Sequence, residues 1–283
     1  MTLCSRMPML TRATLAAAAA LFTLAGAGDA GAWDHNDKNV KHESWSWSGA
    51  LAAGRTLEIN GVNGAVIAEP GTGDKVEVTA EKSGRHQDPS KVEIKVVQDT
   101  GGITICSVYP GQDSPCTSEK KWSWHMDNND VEVEYHVKVP AGAHFRAKTV
   151  NGSVSARDLG GPVEAHTVNG AVDIVTSQSG EAHTVNGSVK ATVGKLKRDE
   201  RMDFKTVNGN ITLNLPDDTD AELDGHTVNG GMHTDFPLTV SGDWGPRRMH
   251  GTIGKGGPTV HLSTVNGAIA VKRSSGKPAT KSL

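Results

Sequence analysis

The tetrapeptide Thr-Val-Asn-Gly occurs six times, at Thr149–Gly152, Thr167–Gly170, Thr184–Gly187, Thr206–Gly209, Thr227–Gly230 and Thr264–Gly267, with a cousin at Gly61–Gly64. The start-to-start spacings are 18, 17, 22, 21 and 37 residues. Self-similarity at roughly 20 residues means that each unit is one piece of supersecondary structure, which buries its apolar face by stacking on its neighbours. The last spacing is about double the others and is expected to span one degenerate copy.

Asn-Gly between alternating apolar residues is also a hairpin signal, because a type I′ turn needs φ > 0 at both central positions. An antiparallel meander or sandwich is therefore the competing fold. It would accept Asp-Gly or Gly-Gly equally well and gives no reason for the preceding Thr and Val to repeat. Stacked coils do give one: at a spacing of about 4.8 Å identical residues form ladders. The expected ladder has Val inside, Asn amide on Asn amide at the corner and Gly where no side chain fits. Its members are Val150, Asn151, Gly152, Val168, Asn169, Gly170, Val185, Asn186, Gly187, Val207, Asn208, Gly209, Val228, Asn229, Gly230, Val265, Asn266 and Gly267.

The flanks agree with stacking. A β-branched residue follows most copies at Val154, Val172, Val189, Ile211 and Ile269, and a second apolar column stands at Ala156, Ile174, Ala191, Leu213 and Val271. Upstream, Thr56–Ile59, Ala65–Ala68, Lys75–Thr79, Lys91–Val96 and Val131–Val137 alternate with the period of strands. The expected fold is all-β: a single-stranded β-solenoid over residues 45–272, with a disulfide-bearing insertion at 106–130 and a shorter one at Ser83–Ser90. Lys195–Met202 is a polar run that reads as a loop.

The ends set the compartment. Arg6 and Arg12, the apolar run Ala13–Ala27 and the small-x-small pattern Ala30-Gly31-Ala32 read as a signal peptide over 1–32. Residues 33–44 are then a linker, and the polar, basic residues 273–283 a disordered tail. The mature chain is expected to be periplasmic or extracellular, with no transmembrane segment. Removing Cys4 leaves Cys106 and Cys116, the arithmetic of one disulfide in an exported protein. The remaining 27 basic and 31 acidic residues argue against a nucleic-acid partner.

The six tetrapeptides, the segment Leu57–Val66 and the segment Gly251–Gly267 together resemble the bacterial exported putative-adhesin family, a domain of unknown function built of such repeats. The resemblance spans Leu57 to Val271 and implies a non-catalytic envelope protein. It covers neither the Cys106–Cys116 loop nor the Trp-Ser-Trp pairs.

Candidate contact residues stand where the chain departs from the repeat. Trp45 and Trp47, and again Trp122 and Trp124, alternate with Ser, so each pair projects to one side of a strand and can stack on a sugar ring or cover an end of the stack. The residue before each Thr is Lys148, His166, His183, Lys205, His226 and Ser263. In-register coils place His166 on His183, a weak candidate for Zn²⁺ or Cu²⁺ in what otherwise reads as a solvated column. The acidic residues Asp127, Asp130, Asp199, Glu200, Asp217, Asp218 and Asp220 lack a paired base, and neither Gly-x-Ser-x-Gly nor His-Glu-x-x-His is present. The expectation is a module without cofactor or catalytic residues that binds an envelope glycan or protein. The alternative is a degenerate β-helix polysaccharide lyase or hydrolase.

Overall fold

A computed structural model describes residues 40–111, 116, 129–194, 201–240 and 247–274. The expected signal peptide, most of the linker, Trp122, Trp124 and nearly all of the tail lie outside the described residues. The chain divides into Met1–Lys38 and Asn39–Leu283, and the following concerns the second unit.

Its strands form one sheet of 10 and one of 11. In spatial order the ten-stranded sheet runs Lys41–Ala50, Lys75–Gly84, Glu132–Val139, Val66–Pro70, Val154–Leu159, Val172–Thr176, Val189–Thr192, Ile211–Leu215, Ile269–Arg273 and Met232–Thr234. The eleven-stranded sheet runs Leu238–Val240, Arg248–Ile253, Ala221–Asn229, Thr259–Asn266, Arg201–Lys205, Gly180–His183, Val163–His166, His144–Lys148, Thr56–Asn60, Gly102–Val108 and Glu93–Gln98. Each Asn-Gly coil is one strand from the second sheet, the corner and one strand from the first. Coils pair in parallel, and the chain is a β-solenoid as its repeats predict. No hairpin joins the two strands of a coil, which rules out the meander.

The period-two pattern decides what fills the space between the sheets. Val163 and Ala165, Phe145 and Ala147, and Met202 and Phe204 point in from one side. Val154 and Ala156, Val172 and Ile174, and Ile211 and Leu213 point in from the other. All belong to one continuous apolar cluster. Each buried Val, Leu or Ile contributes on the order of 1.5–3 kcal/mol, so the column holds together by accumulation rather than by one large centre.

The corner corrects the expected orientation of its Val. Thr149, Thr167, Thr184, Thr206, Thr227 and Thr264 are the buried members, whereas Val185, Val207, Val228 and Val265 are 38–43% exposed and Val150 and Val168 are half-buried. Hydrogen bonding explains the exchange. Each Thr Oγ1 donates to the Gly carbonyl of an adjacent coil, at 2.8 Å for Thr167 on Gly152, 2.9 Å for Thr184 on Gly170 and 2.8 Å for Thr206 on Gly187. Val could not satisfy a carbonyl at that buried turn, and leaving it unpaired would cost about 1–3 kcal/mol.

Asn and Gly behave as expected. Each Asn Nδ2 donates to the next Asn Oδ1 at 2.8 Å along Asn229, Asn266, Asn208, Asn186, Asn169, Asn151 and Asn63. A Cβ at Gly152, Gly170, Gly187 or Gly209 would lie 1.9–2.1 Å from the Gly carbonyl oxygen of the adjacent coil. Close approach of coils therefore demands Gly at these four positions, none of which has a φ in the left-handed range.

Stack order departs from chain order at both ends. The coil using Gly102–Val108 and Glu132–Val139 lies outside the one using Thr56–Asn60 and Val66–Pro70, which the chain makes first. At the far end the last coil, with Thr259–Asn266 and Ile269–Arg273, inserts inside the coil of Ala221–Asn229 and Met232–Thr234. Among the described residues the 37-residue spacing therefore holds no degenerate copy. It holds the strands Leu238–Val240 and Arg248–Ile253, which cover the end of the sheet antiparallel. Lys41–Ala50 covers the opposite end through Lys75–Gly84, so a strand begins at Lys41 inside the stretch expected as linker. That strand Lys75–Gly84 likewise takes in Ser83 and Gly84 of the shorter insertion, Arg201 and Met202 open the strand Arg201–Lys205, and Arg273 closes the last strand instead of opening the tail. Such strands blunt edges that would otherwise template aggregation.

Candidate functional site

The outward side of the eleven-stranded sheet carries two adjoining rows set by parallel register. The residue two positions before each tetrapeptide's Thr-flanking residue faces the same way, so every coil contributes a pair. Moving inward from the first Asn-Gly coil, the pairs are Glu58 and Asn60, Arg146 and Lys148, Glu164 and His166, Glu181 and His183, then Asp203 and Lys205.

Most of these charges compensate one another. Glu58 is only 1% exposed and receives Lys148 Nζ at 2.9 Å and Arg146 Nη1 at 3.4 Å. Glu164 takes Arg146 Nε at 2.6 Å and His144 Nε2 at 3.0 Å. Burial alone would raise the Glu164 carboxyl, but hydrogen bonds from His144 and Arg146 and the nearby positive charge hold it down at about 2. Asp203 pairs with Lys205.

Glu181 is the exception. Its ion-pair contacts among the described residues are imidazoles alone: His183 Nε2 at 3.6 Å and His166 Nε2 at 3.7 Å. Burial, opposed by His183 and reinforced by Glu164 and Asp203, raises its carboxyl above the usual range. The two imidazoles stack edge to face with centroids 4.8 Å apart. Burial first, then His183, Lys148 and Arg146, push the His166 imidazolium down to about 4 against the pull of Glu164.

The expected His166–His183 pair is thus brought together, and Glu181 is the member that inspection of the residue next to each Thr passes over. The signal was present as period two: Glu164-Ala165-His166 and Glu181-Ala182-His183 put both outer residues on one face.

The expected disulfide forms between Cys106 and Cys116, with Cα atoms 5.8 Å apart, and ties the insertion to the strand Gly102–Val108. Trp45 and Trp47 are half-buried on the outermost strand and pack against the core. They cover the end of the stack. Several of the acidic loop residues organise backbone: Asp130 accepts from the amides of Arg85, His86 and Gln87, and Asp220 from that of Lys255. These amide bonds hold the Asp130 carboxyl far below its ordinary range. Asp217 reaches Arg273 at 3.8 Å. Asp130 also meets the exposed imidazole of His86, Nδ1 to Oδ2 at 3.0 Å.

What the geometry defines is a two-sheet parallel β-solenoid whose corner is a hydrogen-bonded ladder and whose outer face is a preset array of ionisable side chains. Residues 151–272 match the Toastrack DUF4097 family. No curated protein matches the chain. Among solved structures it is similar to a putative cell adhesion protein from Clostridium sporogenes ATCC 15579, at 15% identity over 82% of this chain and 100% of that one, with a TM-score of 0.46. A putative adhesin from Bacteroides fragilis NCTC 9343 is similar at 12% identity, over 82% of this chain and 97% of that one, with a TM-score of 0.35. No described helix is long and apolar enough to cross a membrane.

Proposed function

We propose that this protein is a non-catalytic module of the cell envelope, exported to the periplasm or the cell surface, that holds a surface component against the outer face of its eleven-stranded sheet. The ligand classes that fit are a polysaccharide, a peptidoglycan fragment and an envelope protein. The observation that carries the reading is the double row from Glu58 and Asn60 to Asp203 and Lys205, in which side chains are fixed by register and by one another. A polymer meets there a rigid array whose rotamers are already ordered, so little conformational entropy is lost on binding. The Cys106–Cys116 link holds Cys116 against the strand Gly102–Val108 of the same sheet.

Catalysis fits less well. Glu58, Glu164 and Asp203 are neutralised by cations within the rows and are not free for proton transfer. The test is capture of the mature protein from envelope fractions together with a glycan array. The expected result is a retained partner whose capture is lost when Glu164→Lys and Asp203→Lys reverse the row. Empty arrays and empty pull-downs would make the module purely structural. Release of unsaturated products from polyuronates would overturn the non-catalytic reading.

A further inference from the structure

We propose that His166, Glu181 and His183 form a binding site for a divalent transition-metal ion, with Zn²⁺ as the first candidate. The inference stands apart from the envelope-binding reading and needs no external partner. Three ligand atoms, one from each residue, lie within 4.8 Å of one another. Two imidazoles and one carboxylate are a donor set that holds Zn²⁺ with a position left open for a further ligand. In a tetrahedral site with Zn–N of about 2.0–2.1 Å, donor atoms stand roughly 3.3 Å apart. Contacts of 3.6 and 3.7 Å to Glu181 Oε1 approach that value, and small side-chain rotations close the rest.

The second observation concerns satisfaction. His183 Nε2 is buried and has no hydrogen-bond partner among the described residues. Buried polar atoms are otherwise almost always paired, so an orphaned ring nitrogen aimed at a carboxylate and a second imidazole calls for an explanation. A metal ion supplies one. The third observation is charge. Glu164, Glu181 and Asp203 stand in successive coils, and the outer two have Arg146 and Lys205, whereas Glu181 has only imidazoles. Among the described residues the row is one cation short at the place where nitrogen donors converge. Asp203 Oδ2, 3.6 Å from His183 Nε2, flanks the site and adds to its negative field.

The backbone explains why this arrangement arises at one place. Glu181 and His183 share a face two residues apart on one strand, and His166 is the register partner of His183 on the next. Neighbouring coils put Lys148 and Lys205 where an imidazole would be needed. The trio is therefore confined to the coils separated by the shortest repeat.

The experiment is titration of the chelator-treated full chain with ZnCl₂ by calorimetry and with CoCl₂ by visible absorption. The expected result is a single equivalent of bound ion, with Co²⁺ showing ligand-field bands of a nitrogen and oxygen site. Glu181→Gln, which keeps the shape of the side chain, is expected to weaken binding roughly tenfold or more, and His183→Ala and His166→Ala to abolish it. Circular dichroism confirms that each variant is folded. No heat and no Co²⁺ absorption with the unaltered chain would overturn the site. So would a bound equivalent that survives all three substitutions, which would place the ion on other histidines.

Discussion

The Thr-Val-Asn-Gly corner and the outer rows immediately before it climb the same stack, yet the corner repeats its residues and the rows change from coil to coil. Parallel register is common to both, so geometry does not explain the difference. Partnership does. In the corner each group meets a member of the same tetrapeptide in the adjacent coil: Asn amide to Asn amide, Thr hydroxyl to Gly carbonyl, and Gly against Gly with no room for Cβ. Identity is then a physical requirement. In the rows most side chains meet water or a neighbour of another type, the His166–His183 stack being the exception, and residues of many types fit the outward strand positions. Self-complementary contacts hold the sequence constant, and the outward rows are free to acquire chemistry.

The comparison breaks most visibly at Gly187. A Cβ there would lie 2.0 Å from the Gly170 carbonyl oxygen, which is backbone and cannot swing aside. Gly187→Val should destabilise the protein by about 4 kcal/mol or more, at the exceptional end of single substitutions. Urea unfolding followed by far-UV circular dichroism measures this. A loss below about 1 kcal/mol would mean that the coils can spread at the corner.

Thr184→Val comes next. The change preserves volume and β-branching but removes the hydroxyl that donates to Gly170 O at 2.9 Å in a buried site. The expected loss is about 1–3 kcal/mol, the cost of an unsatisfied buried acceptor. An unchanged unfolding midpoint would remove the stated reason for Thr at this position.

Asn186→Asp tests the amide ladder and has a pH signature. The substitution keeps an acceptor for Asn208 Nδ2 but replaces the donor to Asn169 Oδ1 with a second oxygen. With the ladder at the surface, about 1 kcal/mol should be lost at pH 7. Protonating the new carboxyl restores a donor, so its pKa is higher in the folded protein than in the unfolded chain. The penalty is present when the group is ionised and shrinks as pH falls through the raised folded value. Comparing midpoints of the variant and the parent from pH 7 downward should show the gap narrowing. A gap that widens on acidification would contradict an amide-to-amide ladder.

How much of this could be read from residues follows the same division. The solenoid was legible because self-pairing forces repetition, and six copies of one tetrapeptide leave a trace that a hairpin would not. The inward columns Ala156, Ile174, Ala191, Leu213 and Val271 were legible from period two, and all are buried. Val at the corner faces the side opposite to the one expected because hydropathy alone favours Val inside, and the Gly carbonyl that needs a donor is not visible in a string of letters. The exchanged order of the end coils was hidden for another reason: it depends on which coil a strand meets, and no local signal distinguishes one parallel partner from another. At the candidate site the paired imidazoles followed from the spacing. Glu181 was overlooked although its position two residues before His183 places it on the same face.

The smallest effect carries the sharpest test of orientation. Val185 is 38% exposed and adjoins Thr184, which is buried, so the two residues face opposite sides of the same turn. Val185→Ser removes an apolar side chain and puts a hydroxyl where water already reaches. If Val faces outward, the substitution should change stability by no more than about 0.5 kcal/mol, as surface changes do. If Val were the interior member, the same substitution would bury a hydroxyl and open a cavity, at a cost of about 2 kcal/mol or more. The two orientations therefore predict opposite rank orders for Thr184→Val and Val185→Ser, measured in the same urea titration. A larger loss at Val185 would return Val to the interior and leave the Thr hydroxyls without their role.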